Sequence, residues 1–143
     1  NYKTTSIRVI KGPNFEYFSD KAKEIFLNNE FIVSKFTDRM GIRLEGQILE
    51  NIINTNIKSE GIVRGVIQVA SDGNPIIMLA DHGTIGGYPK IANVISADFD
   101  KLSQVVPGSK INFKEVNLKE AEDLFEIYNL ETTNLINQIT YDQ

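Results

Sequence analysis

The sequence contains no cysteine and only one histidine among its 143 residues. That excludes a disulfide framework, a thiolate nucleophile and a cysteine-ligated zinc, and one imidazole cannot build a multi-histidine metal site. Long hydrophobic runs are missing as well: the run Ile76, Ile77, Met78, Leu79, Ala80 is among the longest, far short of the roughly 20 apolar residues of a membrane helix. Positive charge is in deficit. Fifteen Lys and Arg against nineteen Asp and Glu give a formal charge of −4 and a pI near 5.0, so no basic field recruits a phosphate backbone, and neither nucleic acid nor a membrane is expected as a partner. Internal repeats and low-complexity linkers are absent.

What remains is the composition of a folded domain. A hydrophobic fraction of 41% with 24% charged residues lies away from the disordered regime, and the length suits one domain with a sizeable core. The opening residues, Asn1 to Ser6, lead into no apolar signal-peptide core, which favours a cytoplasmic location. The chain does not start with Met, the expectation for a piece trimmed from something longer.

Periodicity points to a mainly β fold. Ile7 and Val9 alternate with outward Arg8 before Lys11 and the turn residues Gly12 and Pro13. Ser19 is a candidate N-cap for a short amphipathic helix over 20–27, with Ala22, Ile25 and Phe26 on its apolar face, expected to plug one end of a sheet. Phe31, Val33 and Phe36 suggest a strand; Ile42 and Leu44, alternating with Arg43 and Glu45, suggest another. The strongest strand signal covers 62–69, followed by the turn cluster Ser71, Asp72, Gly73, Asn74, Pro75 and a returning strand over 75–80. Further short apolar segments at 91–95 and 111–116 complete the rhythm of a small barrel or sandwich, with a helical turn expected over 98–105. Residues 1–116 are therefore read as the barrel and 117–143 as a C-terminal helical segment. Asn117 and Glu120 have capping-box spacing, and Leu118, Ala121, Leu124, Phe125, Tyr128 and Leu130 form an apolar stripe that needs a partner surface. Thr132 and Thr133 leave one helix or two as alternatives.

Two segments carry the candidate chemistry. In Asp81, His82, Gly83, Thr84, Ile85, Gly86, Gly87, Tyr88, Pro89, Lys90, the glycines can turn backbone N–H groups toward an anion and Lys90 adds a mobile positive charge. The alternative is a tight turn between strands, and no phosphate-loop motif is present. His82 is the one side chain with a pKa suited to proton transfer near neutrality, but its neighbour Asp81 points the other way in extended chain. In Thr37, Asp38, Arg39, Met40, Gly41, Ile42, Arg43, Leu44, Glu45, Gly46, Arg39 could clamp a carboxylate through both guanidinium nitrogens. The alternative here is that Asp38 accepts bonds from its own turn while Arg43 and Glu45 occupy the solvated strand face. Ser59, Glu60 and Gly61 sit near the strongest hairpin, and Gln68, on a strand face expected to be buried, needs a partner or a ligand.

These same segments resemble one family. The residues from Thr37 to Gly46, Ser59 Glu60 Gly61, Gly65 Val66 Ile67 Gln68 Val69, Asp72 Gly73, Leu79 Ala80 Asp81, Gly86 Gly87 Tyr88 Pro89 Lys90 Ile91 Ala92 and Ile95 Ser96 Ala97 Asp98 are similar, in order, to the C-terminal half of allophanate hydrolase subunit 2, also known as the C-type subunit of 5-oxoprolinase, in the biotin-dependent carboxyltransferase-like family. The resemblance implies a cyclophilin-like β-barrel with short helices and a C-terminal helix. It implies a partner resembling allophanate hydrolase subunit 1 (the B-type subunit of 5-oxoprolinase), a small anionic substrate, and a site between the two. Relatives hydrolyse 5-oxoproline to glutamate with ATP or transfer a carboxyl group from carboxybiotin to urea, and one antagonises an inhibitor of a sporulation kinase. ATP, with biotin as the second candidate, is thus expected in the assembled complex and no cofactor on this chain alone. Lys90 and Arg39 are the expected catalytic pair, and Asp38, Arg43, Gln68, Asp81, Thr84, Gly86, Gly87 and Tyr88 the expected substrate-binding set. The sequence departs from the family at Gln47 and Arg64, where Pro is usual, and at His82 and Gly83, where Arg and Gln are frequent.

Overall fold

A computed structural model of the chain describes residues 4–52, 64–79 and 87–141. Seven strands, β1 (Thr4–Lys11), β2 (Phe31–Val33), β3 (Gly41–Glu45), β4 (Val66–Val69), β5 (Pro75–Met78), β6 (Lys90–Val94) and β7 (Lys110–Glu115), close a barrel in the order β1-β6-β4-β5-β3-β2-β7. Every neighbouring pair is antiparallel except β1 and β7, which run parallel through six residue pairs from Thr4↔Lys110 to Val9↔Glu115. Closure leaves no open edge for unwanted pairing.

Strand alternation fills the interior. Ile7, Val9, Leu44, Ile67, Ile77, Ile91, Ile111 and Phe113 are buried in one continuous core. Helix α1 (Asp20–Asn28) adds Ala22 and Phe26 to that core, and Phe26 stacks on Phe113 at 4.5 Å between ring centroids. Ser19 caps α1 as its sequence predicts, its Oγ accepting a bond from the Ala22 amide at 3.0 Å.

Some expectations change. Phe36 is not part of a strand: β2 ends at Val33 and Phe36 stands in the following turn, 66% exposed. Described strand structure begins at Val66 rather than at 62, and Ile62 and Ala80 lie outside the described residues. The short helix or helical turn expected over 98–105 is present, as a 3-10 turn (Ser96–Asp98) running into a single turn α2 (Phe99–Leu102), which ends before Pro107 and Gly108. The alternatives at Thr132 and Thr133 resolve to one helix, α3 (Leu118–Tyr141), with Thr132 Oγ1 donating back to the Tyr128 carbonyl. Asn117 accepts from the Glu120 amide at its start.

Arg8 does not simply face solvent. Its guanidinium and its backbone N–H both bond to the carboxylate of Asp98, which is fully buried, and Lys101 approaches the same carboxylate at 3.6 Å. Burial pushes the Asp98 pKa up, but the bonds from the Arg8 side chain and backbone and the charges of Arg8 and Lys101 outweigh it and hold the carboxyl below its ordinary value. A pKa depressed by folding contributes stability that is full above the unfolded value and lost as pH falls through the folded one. Asp98→Asn should therefore lower stability by about 3 kcal/mol at pH 7 and flatten the loss of stability below about pH 4, as read by urea denaturation across pH. A variant whose acid dependence matches the parent would contradict this role for Asp98.

Candidate functional site

The register of four neighbouring strands builds an outward face with its own chemistry. In β4 and β5, Ile67, Val69 and Ile77 join the principal core, while Val66, Ile76 and Met78 form a second apolar cluster on the opposite side, packed with Ala70. Arg43 pairs with Ile76, Ile76 with Gln68, and Gln68 with Lys90. These residues form a single row across β3, β5, β4 and β6, about 14 Å from end to end at three strand spacings. A bulge makes the row possible. Ile67 faces Ala92, so an unbroken ladder would set Ile91 opposite Gln68; the register shift puts Lys90 there and leaves Ile91 in the core.

Gln68 is the anomaly of this face. It is 1% exposed, and its Oε1 has no hydrogen-bond partner among the described residues. Buried acceptors are rarely left unsatisfied. Beside it the Lys90 backbone is fixed by Asn14, whose Oδ1 accepts from Lys90 N at 2.9 Å and whose backbone N–H donates to the Lys90 carbonyl at 3.0 Å. The sequence carries no local signal for this role of Asn14, since an Asn after Gly-Pro reads as one more turn residue. At the other end Arg43 is exposed, its backbone held by Thr37 Oγ1 and Ser34 N. Arg43 and Ile76 border a groove of about 510 Å³ with Phe36, Glu45 and Asn74.

The remaining candidates are dispersed. Asp38 Oδ1 accepts from the Met40 and Gly41 amides at 2.8 and 3.3 Å, so it organises its own turn, with Arg39 exposed at the apex. That turn precedes the Gly41↔Met78 pair, two residues along β3 from the Arg43 row, and is tied to β5 by the Leu79 N–H donating to the Met40 carbonyl. Gly87 and Tyr88 line a separate hollow of about 500 Å³ together with Glu50 and Asp72. Two carboxylates on that wall oppose a triphosphate, and among the described residues no cation lines it. Asp81, Thr84 and Gly86, with His82, Ser59, Glu60 and Gly61, lie outside the described residues. Among the described residues no cluster of three His, Cys, Asp or Glu side chains could hold a metal, and no helix is long and apolar enough to cross a membrane.

Comparison with known proteins follows the same outline. The carboxyltransferase domain, subdomain A and B, family matches residues 1–115. The chain is 43% identical over 118 residues to the C-type subunit of 5-oxoprolinase from Haemophilus influenzae, covering 82% of this chain and 38% of that protein, and 38% identical over 115 residues to its Escherichia coli counterpart, covering 80% and 37%. It thus spans under two fifths of the length of these curated relatives. Among solved structures, the urea amidolyase of K. lactis superposes with a TM-score of 0.84 at 26% identity, over 94% of this chain and 9% of that one.

The orphaned acceptor makes a direct prediction. Gln68→Leu keeps the side-chain volume and places an apolar group against Val66, Ile76 and Met78, so it should stabilise the isolated chain by about 1 kcal/mol. Thermal unfolding would rise by a few degrees. A fall in melting temperature would mean that the Gln68 amide already satisfies a bond in the folded chain.

Proposed function

Given that the chain belongs to the carboxyltransferase domain, subdomain A and B, family, we propose that it is part of a component of an ATP-dependent, multi-protein amidohydrolase of the 5-oxoprolinase type, which opens 5-oxoproline to glutamate. The observation that carries this reading is the 38–43% identity to the C-type subunit of 5-oxoprolinase over about four fifths of the chain. Urea carboxylase and urea amidolyase relatives match at 27–29% identity, so they rank behind it.

In this reading the chain supplies one wall of a site completed by a partner resembling the B-type subunit of 5-oxoprolinase. Arg43 and Lys90 reach from the two ends of the row over Ile76, each side chain extending about 6 Å from its Cα, and hold the carboxylate of the substrate. Holding the carboxylate with charges already in place fixes the lactam in position for attack, which is the main contribution open to a wall of this composition. Nucleotide handling falls to another chain, in keeping with the acidic hollow around Gly87. Arg39 stands in the turn before β3.

Glutamate release from 5-oxoproline, measured with the full-length protein and its partner proteins, tests the reading. Arg43→Ala and Lys90→Ala should each lower kcat/KM by roughly tenfold to a hundredfold, the worth of a charge-assisted hydrogen bond, with complex assembly unchanged. If only Arg39→Ala lowers turnover, the site lies at the loop end of β3 instead. An assembled parent complex that releases no glutamate would remove the 5-oxoprolinase reading.

A further inference from the structure

Strand β1 ends where β6 still needs a neighbour. The β1–β6 register pairs Val9 with Val94, Ile10 with Asn93 and Lys11 with Ala92, so continuing it would set Gly12 against Ile91 and Pro13 against Lys90. Proline has no N–H to give to the Lys90 carbonyl. Asn14 supplies both halves of the pairing instead: its backbone N–H donates to that carbonyl at 3.0 Å, and its side-chain Oδ1 accepts from the Lys90 N–H at 2.9 Å. Asn14 also stands at the cap position of the 3-10 turn Phe15–Tyr17, yet its side chain makes no cap bond there. That side chain is committed to Lys90.

The residues around it favour the same contact. Gly12 donates to the Ile91 carbonyl at 2.9 Å, and a Cβ at Gly12 would fall 2.5 Å from the Lys90 carbonyl oxygen and 2.7 Å from the Ala92 nitrogen. Any side chain there would push this segment off β6 just where Asn14 has to reach it. On the other flank of β6 lies the bulge. Neighbouring residues of a regular strand face opposite sides, yet Ile91 and Ala92 are both buried in the principal core. Ile91 is therefore the extra residue, and Lys90 takes the place opposite Gln68. Because a bulge disrupts the ladder locally, the hold on Lys90 from the β1 side gains weight.

We infer that Asn14 is a positioning residue: it fixes the backbone of Lys90 at the edge of the bulge and so sets how well the Lys90 ammonium meets the carboxylate of the substrate. The inference rests on the reading of Lys90 as a carboxylate-holding group. In this role Asn14 acts through Lys90 alone. It alters the binding of ground state and transition state alike, which changes KM and leaves kcat as it is.

Two measurements test it. In the full chain, hydrogen exchange at the Lys90 amide should quicken about threefold to tenfold in Asn14→Ala, the worth of one neutral hydrogen bond, and return to the parent rate or below it in Asn14→Asp, which keeps the acceptor. In glutamate release from 5-oxoproline by the assembled complex, Asn14→Ala should raise KM by a similar factor at unchanged kcat. The double variant with Lys90→Ala should show no further rise, since the placement of a missing ammonium has no effect. Unchanged exchange at Lys90 would overturn the inference. So would a normal KM for Asn14→Ala where Lys90→Ala raises it, or a rise that persists undiminished in the double variant. A normal KM for Lys90→Ala is a separate result: it takes Lys90 out of the carboxylate site and ends that reading, while the exchange rates still decide whether Asn14 fixes Lys90.

Discussion

Everything in this molecule depends on strand β1 being held on both sides. It pairs antiparallel with β6 and parallel with β7, and only that double pairing turns a sheet into a closed barrel with a sealed interior. Parallel pairing of the first and last strands is nonlocal, bringing Thr4 beside Lys110, so its loop-closure cost is met late and by burial of Ile7, Val9, Ile111 and Phe113. The Arg8–Asp98 pair fastens the same strand to the segment after β6. A buried carboxylate is costly alone, and Asp98 is tolerated because a guanidinium, a backbone amide and the nearby Lys101 ammonium converge on it.

Closure also decides where chemistry can lie. With the inside filled by side chains, a ligand site has to be on the outer face or at the ends. Within the face across β3, β5, β4 and β6, the two central strands are unusual because both of their sides are covered: β4 and β5 are buried along their whole length. Placing Gln68 in such a face sacrifices stability unless something donates to it. The bulge beside it has a second effect, since it takes one residue out of the ladder and brings Lys90, rather than a core isoleucine, opposite the amide. One irregularity in β6 thus converts two loosely related sequence segments into a row.

Much of the fold was legible in the sequence. Gly and Pro punctuation, the alternation of Ile42 and Leu44 with Arg43 and Glu45, and the Ser19 cap each reported local physics, and α1, β3 and β5 appear within two residues of their expected places. Phe36 failed because it stands three residues after Val33, off the period of two that puts Phe31 and Val33 on one face, so its apolar character alone suggested a strand. Closure and strand order could not be read, because they depend on pairings between residues a hundred positions apart. The site was half legible. Arg43, Gln68 and Lys90 are recognisable singly as charged or buried polar residues, but their alignment is a matter of register and of a bulge that leaves no local mark. Asp98 looked like one more acidic residue at a helix start, although it is the most deeply buried charge among the described residues.

The proposed role in a 5-oxoprolinase rests on one point, that Arg43 and Lys90 serve a single small anion. Nitrogen-15 NMR of the Arg43 Nε and Lys90 Nζ groups during titration of the assembled complex with 5-oxoproline tests it most directly. Both resonances should move together and saturate at one concentration, and Lys90→Ala should abolish the shift at Arg43. Movement of one resonance without the other, or of neither while glutamate is still produced, would contradict it.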